Sequence, residues 1–181
     1  DQEKHVVRIL EMIGEQPDRN GLKDTPKRYL KALKEMTRGY EQDVSYTVFE
    51  KDGFDQIVIL KDIKFFSLCE HHLLPFHGNA SVAYIPNKKI VGVSKLARVV
   101  EKFACRLQNQ ERIAEQISDE LTRNLEPRGL AVILNGMHSC VACRGVRQVD
   151  ALMTTSKITG IFREDHKARS ELFQLLSYAS L

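Results

Sequence analysis

Residues 56–87 read QIVILKDIKFFSLCEHHLLPFHGNASVAYIPN, and this stretch decides the fold class of the chain. Its first part, residues 56–68, is rich in β-branched and aromatic residues, which predicts a strand that breaks near residues 61–62. Residues 79–87 predict a second strand, and residues 69–78 then connect the two. The stretch therefore predicts two neighbouring strands joined by a segment rich in cysteine and histidine.

Helical patterns lie on both sides of these strands. Two helices are predicted before them, over residues 6–13 and 25–39, with Thr25 as the N-cap of the second, and residues 41–55 are predicted to be irregular. The remaining predicted elements are two helices over 94–107 and 110–125, two strands over 129–143 and 151–162, and a last helix over 165–178 that Asp165 caps. Strands that come in pairs, instead of alternating with helices, indicate an α+β fold with an antiparallel sheet.

Composition and charge limit the range of functions. The chain is 43% hydrophobic and 28% charged, as is usual for a soluble globular protein. A net charge of +3 argues against a protein that coats nucleic acid and suits an anionic small molecule as the partner. No apolar run approaches the roughly 20 residues that a membrane helix needs. The first ten residues lack the features of a signal peptide, so we expect a cytoplasmic protein. A targeting segment that was removed earlier is the alternative left open.

Cysteine and histidine cluster in two segments that lie far apart in the chain. The first contains Cys69 and His72, and the second contains Cys140 and Cys143. Thiolate and imidazole donors together favour zinc over other common metals. All four residues could form a closed structural site, and two disulfides are a further alternative. The remaining cysteine, Cys105, lies beside an apolar helix stripe and is assigned to packing.

Strand geometry favours an open metal site over a closed one. If residues 132–143 form one strand, Cys140 and Cys143 point to opposite faces, because side chains alternate along a strand. Cys69, His72 and Cys140 are then the three predicted ligands. A fourth position left free for water is typical of a catalytic zinc site, so the spacing predicts catalysis more than a structural role.

Two further histidines lie close to the predicted ligands. His71 directly precedes His72, and His138 is expected on the same face as Cys140, one pleat away. Histidine has a reference pKa of about 6.5, which suits proton transfer near neutral pH. We therefore expect His71 and His138 to move protons, with hydrogen bonding around the metal as the alternative. The other histidines, His5, His77 and His166, are assigned to the surface.

Four cations recur on one face of the predicted helix over residues 94–107. They are Lys95, Arg98, Lys102 and Arg106. Ser94 is predicted to cap the N-terminal end of this helix, where the dipole and free N–H groups attract anions. Phosphate binding is therefore predicted for Ser94, Lys95 and Arg98, whereas Lys102 and Arg106 are assigned to a solvated face. Arg144 and Arg147 follow the second metal segment, so we expect a phosphorylated substrate whose reacting end meets the metal.

Six segments of the chain, in order, resemble GTP cyclohydrolase I. They are SLCEHHLLPFHG, YIPN, GVSKLARVVEKFA, RLQNQER, MHSCVACRGVR, and TTS followed by GIF, and the resemblance runs from about Asp24 to Leu176. It implies a tunnelling fold, in which subunits join their sheets into a barrel, over a single domain of residues 1–181. Residues 1–50 would form an N-terminal helical part and residues 56–181 the catalytic part. It also implies a homodecamer with active sites at subunit interfaces.

The resemblance implies a hydrolase that converts GTP and water to 7,8-dihydroneopterin triphosphate and formate, the first step towards folate or tetrahydrobiopterin. The resemblance assigns zinc binding to Cys69, His72 and Cys140, and proton transfer to His71 and His138. It assigns purine binding to Gln110 and Glu111, and triphosphate binding to Ser94, Lys95, Arg98 and Arg144. From the residues alone, the dipole of the helix that begins at Gln110 explains Glu111 equally well. The sequence identifies no regulatory partner.

The chain departs from the family pattern at four positions, which are Asn109, Gly136, Ser139 and Cys143. Changes at Asn109 and Gly136 are expected to alter the fit around the purine. Three rival interpretations stay open: a related zinc hydrolase that stops at a different product, a structural zinc module that binds nucleic acid, and an inactive family member that serves as a regulatory subunit. Mild net charge argues against the nucleic-acid module.

Overall fold

The computed structural model describes residues 1–178. Its α-helices are α1 (Glu3–Met12), α2 (Thr25–Met36), α3 (Val93–Ala104), α4 (Gln110–Leu125), α5 (Ser139–Ala142), α6 (Ile161–Glu164) and α7 (His166–Ser177), and a 3₁₀ turn spans Arg38–Tyr40. Its strands are β1 (Val48–Glu50), β2 (Val58–Cys69), β3 (Pro75–Ile85), β4 (Lys89–Val91), β5 (Leu107–Gln108), β6 (Gly129–His138) and β7 (Met153–Gly160). None of these described helices is long and apolar enough to cross a membrane.

Five strands form the main sheet in the order β5-β2-β3-β6-β7. All neighbours pair antiparallel except the two-residue β5, which runs parallel to the end of β2. The predicted α+β fold with an antiparallel sheet is therefore confirmed. The predicted break in the first strand is a change of register between Leu60 and Ile63, as expected of a β-bulge. β1 pairs with β4 in a separate sheet, so residues 41–55, predicted to be irregular, contain a short strand.

Two predicted strand limits are wrong, and both lie next to the candidate metal residues. The connection between the first two strands spans only residues 70–74, because Phe76 is buried and pairs with Ser67 in the sheet. The strand β6 ends at His138, before its predicted limit. Its partner β3 begins at Pro75, so the chain beyond His138 has no strand to pair with and turns into the short helix α5.

Helices cover both faces of the sheet. The apolar stripes predicted for α3 and α4 are buried against one face, through Leu96, Val99, Val100, Phe103, Ile113, Ile117, Leu121 and Leu125. On the opposite face, Phe162 and Leu172 of the last two helices pack on Ala83 and Ala131. Each fully buried large apolar side chain contributes roughly 1.5–3 kcal/mol, so these two layers hold the sheet that carries the site.

One of three predicted helix caps is confirmed. Asp165 accepts hydrogen bonds from the backbone N–H groups of Lys167 and Ala168 at the start of α7. The caps predicted at Thr25 and Ser94 are wrong, because α2 begins at Thr25 itself and α3 begins at Val93. The N-cap residues are Asp24 and Gly92, and neither makes a side-chain cap bond. Ser94 therefore lies inside the first turn of α3.

Candidate metal centre

Three side chains from three elements meet at one end of the sheet. Cys69 is the last residue of β2, His72 lies in the connection that follows, and Cys140 lies in α5. Their ligand atoms all lie within 4.8 Å of one another, and the Cys69 Sγ is 3.6 Å from the His72 Nδ1. The structure therefore brings the three predicted ligands together, although they belong to segments far apart in the chain.

Local backbone geometry explains how these side chains converge. The backbone N–H groups of His72 and Leu73 both donate to the Cys69 carbonyl, which closes a tight turn and folds the connection back over Cys69. Leu73 has a φ of 55°, a left-handed conformation that such a turn requires. The pairing of Phe76 with His138 then sets the end of β6, and with it the start of α5, beside this turn.

The donor set of this group fits a thiophilic divalent metal. Burial raises the pKa of the Cys140 thiol, and the neighbouring Cys69 thiol raises it further, because two adjacent thiolates repel each other. A cation between the two sulfurs reverses this effect and favours both thiolates. Two thiols and one imidazole are ligands that bind soft or borderline metals, and three protein ligands leave a fourth position open.

Cys143 lies outside the group, but the reason that we derived from the sequence is wrong. Residues 139–142 form a helical turn instead of a strand, so strand alternation does not apply there. The exposed Cys143 thiol donates to the Ser139 carbonyl at 2.7 Å, which turns it away from the other two sulfurs. Within the described residues, the group that could hold a metal comprises Cys69, His72 and Cys140 without Cys143.

His138 is held from two sides at the end of β6. Its ring stacks on Phe76 with a centroid distance of 4.4 Å and an interplanar angle of 8°. Its Nε2 lies 3.0 Å from the Gln110 Oε1. Burial lowers the pKa of His138, and the nearby Glu111 carboxylate partly offsets this shift. His138 is thus favoured in its neutral form, which can accept a proton.

His71 lies close to the Cys69 thiol and is more exposed than His138. Its Nδ1 is 3.9 Å from the Cys69 Sγ, and its Nε2 is 3.7 Å from a carboxylate oxygen of Glu70. Glu70 is a residue that the sequence analysis missed. It pairs with Arg112 and accepts from Asn109, so it ties the connection between β2 and β3 to the start of α4. Its place between Cys69 and His71 in the sequence is the signal that could have identified it.

The two residues predicted to hold the purine have different surroundings. Glu111 is exposed in the first turn of α4. Gln110 is only 1% exposed, and its amide points into the protein, where the Nε2 donates to the carbonyls of Leu134 and Met153. The Glu111 carboxylate is therefore open to solvent, whereas the buried Gln110 side chain contacts His138 from the interior.

Asn109 is the N-cap of α4, which explains a polar residue at this position. Its Oδ1 accepts from the Arg112 backbone N–H at 2.8 Å. We expect Asn109→Ala to cost about 1 kcal/mol of stability, the usual cost of a lost N-cap. In a chain of this size that lowers the melting temperature by about 2–4 °C, measured by calorimetry at fixed protein concentration.

The control for this prediction is Asn109→Ser. Serine keeps a capping oxygen but loses the amide donor that reaches Glu70 at 3.2 Å. Asn109→Ser should therefore melt close to the unchanged protein. Equal destabilisation by serine and alanine would show that the tether to Glu70, and not the cap, carries the stability.

The predicted phosphate-binding residues do not all lie near the metal group. Arg144 does, since its Nη1 is 3.2 Å from the His72 Nε2. The C-terminal end of α3 is the end close to Cys69, because the following strand β5 pairs with the end of β2. Ser94 and Lys95 lie in the first turn of this 12-residue helix, which is about 18 Å long. Arg98 lines a cavity of about 960 Å³ between α2, β2 and α3.

The other two cations, Lys102 and Arg106, have structural partners instead of lying on the solvated face that the sequence predicted. Lys102 pairs with Glu120 at 3.0 Å, and Arg106 donates to the Gly39 carbonyl at 2.8 Å. Cys105 is buried, which confirms its assignment to packing. Among the residues predicted to bind phosphate, Arg144 is therefore the one that contacts a residue of the metal group in the described part of the chain.

Comparisons with known proteins identify the family of the chain. The GTP cyclohydrolase I family model matches residues 2–177. GTP cyclohydrolase 1 of Coxiella burnetii is 49% identical over 176 residues, which are 95% of both chains. The Sulfurihydrogenibium protein of the same name is 48% identical, and the match covers 97% of this chain and 93% of that protein. The Campylobacter jejuni protein is also 48% identical, and the match covers 96% of this chain and 93% of that protein. A solved archaeosine synthase QueF-Like structure covers 57% of this chain and 93% of its own, with 16% identity and a TM-score of 0.48. With a family model over nearly its whole length and relatives at this identity, the chain belongs to the GTP cyclohydrolase I family.

Proposed function

We propose that this chain is a zinc-dependent GTP cyclohydrolase I, which converts GTP and water to 7,8-dihydroneopterin triphosphate and formate. The observation that carries the proposal is the meeting of Cys69, His72 and Cys140, with His71 and His138 beside them. The product would enter the synthesis of folate or tetrahydrobiopterin. We place the enzyme in the cytoplasm, with GTP as its small-molecule partner.

Zinc is the metal that this donor set suits best, since two thiolates and an imidazole form many of its sites. When bound, zinc supplies a Lewis acid that makes water a nucleophile near neutral pH. Cys69, His72 and Cys140 hold it, and their number leaves one position open. The half-buried position of Cys140 and the buried Cys69 keep bulk water away from two of the three ligands.

The histidines move protons in this proposal. Hydrolysis at C8 of the purine needs a proton on the imidazole ring of the base, and a second hydrolysis that releases formate needs further transfers. His71, which lies close to the Cys69 thiol, and His138, which is two residues before Cys140, are the candidates for these steps. Glu111 would accept hydrogen bonds from the N1 and amino group of guanine, and Gln110 would support the purine site from the interior.

The active site is shared between subunits in this proposal. Arg144 would bind the triphosphate from the chain that holds the metal. Ser94, Lys95 and Arg98 would reach the same triphosphate from a neighbouring subunit, because in their own chain Ser94 and Lys95 lie at the end of α3 that is far from Cys69, and Arg98 lies at the middle of this helix. This arrangement suits a homodecamer whose sheets join into barrels, and light scattering measures its mass directly.

One assay tests the proposed activity. We expect the zinc-loaded protein to release formate from GTP and to yield a product that fluoresces as a pterin after oxidation. Formate without a pterin would favour a hydrolase that stops at an earlier product. No formate from pure protein with a full complement of zinc would contradict the proposal. The matched control is the same protein after chelation, which should release none.

A further inference from the structure

Gln110 is the only side chain in the described part of the structure that contacts His138 by a hydrogen bond to the ring. The two residues come from different elements, the start of α4 and the end of β6. The contact joins the Gln110 Oε1 to the His138 Nε2 at 3.0 Å. The stacked Phe76 fixes the plane of the ring, so this contact determines how the ring is oriented within that plane.

The direction of this hydrogen bond follows from the other end of the Gln110 amide. The Nε2 of Gln110 lies 3.1 Å from the Leu134 carbonyl and 2.9 Å from the Met153 carbonyl. Carbonyl oxygens only accept, so the amide NH₂ must face them and cannot face His138. The Oε1 that faces His138 is itself only an acceptor. The His138 Nε2 must therefore carry the proton that it donates.

We propose that Gln110 is a positioning residue that holds His138 in its Nε2–H tautomer, which leaves Nδ1 as the ring nitrogen with a free lone pair. The inference rests on the proposed function, in which His138 moves protons for the substrate. It assigns the atom at which that transfer takes place. It also gives the buried Gln110 side chain a role that a direct contact with the purine does not explain.

Gly136 makes this arrangement sterically possible in this chain. A Cβ at position 136 would overlap the Gln110 Oε1, whereas the next neighbour outside Gln110, the Phe65 Cζ, is at an ordinary 3.5 Å. The Gln110 amide cannot retreat easily, because both of its N–H groups are bound to carbonyls of β6 and β7. Glycine at position 136 therefore leaves the space in which the Gln110 Oε1 accepts the hydrogen bond from His138.

The test reads the tautomer directly and needs no turnover. Zinc-loaded protein with ¹⁵N-labelled histidine rings is studied by NMR at a pH where His138 is neutral, and the His138 signals are assigned by their loss in His138→Ala. We expect a pyrrole-type signal for Nε2 and a pyridine-type signal for Nδ1. In Gln110→Leu we expect a mixture of both tautomers. The opposite tautomer in the unchanged protein would overturn the inference.

Kinetics provide the second readout. Loss of the outer partner of a metal-bound histidine costs about 10- to 100-fold, and we expect a fall of the same size in kcat of Gln110→Leu. KM for GTP should change much less than kcat, because the Gln110 side chain is buried and does not contact a ligand directly. Gly136→Ala keeps the Gln110 amide but crowds it, and it should show the same tautomer mixture and the same loss of kcat. If Gln110→Leu fails to fold, Gly136→Ala provides the same test of the tautomer and of kcat.

Gln108→Leu is the matched control. Gln108 is also 1% exposed, and its amide donates to the Phe103 carbonyl and to Gln116 without contacting His138. Its replacement should lower stability yet preserve the His138 tautomer. If Gln110→Leu and Gly136→Ala leave the tautomer unchanged while the protein still releases formate, the inference fails and the proposed function stands. If zinc-loaded protein releases no formate, the proposed function fails, and the tautomer result is still decided by NMR.

Discussion

Replacing Cys140 with serine is expected to abolish both zinc binding and formate release. Serine is nearly the same size as cysteine, but its hydroxyl does not ionise near neutral pH and binds zinc poorly. Cys69 and His72 would be left as two ligands in a partly exposed site. Loss of an outer partner of a metal ligand already costs about 10- to 100-fold, so the loss of a ligand itself should exceed about 100-fold in activity. Metal analysis of the purified variant measures zinc per chain.

Cys143→Ser is the matched control, since it makes the same chemical change three residues away. The exposed Cys143 thiol donates to the Ser139 carbonyl, and a serine hydroxyl can make the same bond. This variant should keep its zinc and its activity. Loss of zinc in Cys143→Ser would mean that the site closes with four protein ligands, and it would favour the structural interpretation over the catalytic one.

Much of the fold could be predicted, because hydrophobic periodicity records which face of an element is buried. The stripes of α3 and α4 and the paired strands are local patterns, and the structure confirms them together with the α+β class. Strand limits next to the site could not be predicted in the same way. The end of β6 depends on where its partner β3 begins, at Pro75, and that pairing joins residues far apart in the sequence.

The candidate site likewise has features that local sequence patterns predict and features that depend on contacts between distant residues. Cys69 and His72 lie three residues apart, and their spacing could be interpreted locally. The structure leaves Cys143 out of the candidate group for a different reason than the one predicted, because a helical turn stands where a strand was predicted. The roles of Glu70 and Gln110 depend on contacts with Arg112 and with the carbonyls of β6 and β7. No periodicity in one sequence encodes such contacts, so only the folded chain reveals them.

His138→Ala is expected to keep its zinc and lose turnover. The His138 ring is not in the Cys69, His72 and Cys140 group, and it is bound instead to Phe76 and Gln110. Its removal leaves the three ligands in place but takes away a group that is neutral by burial and able to accept a proton. General acid–base catalysis by one side chain contributes about 10²- to 10⁴-fold, so kcat should fall within that range. Zinc per chain and formate release are measured on the same preparation.

His77→Ala supplies the comparison, because His77 is also a histidine stacked on a phenylalanine of the same sheet. Its ring lies 5.8 Å from that of Phe66, and the residue is exposed. This variant loses a ring stack without losing a group near the metal, so its kcat should stay close to that of the unchanged protein. Loss of zinc in His138→Ala would make His138 a support of the metal site, and undiminished turnover would remove it from the proton steps. In either case His71, which lies 3.9 Å from the Cys69 sulfur, would become the leading candidate for proton transfer.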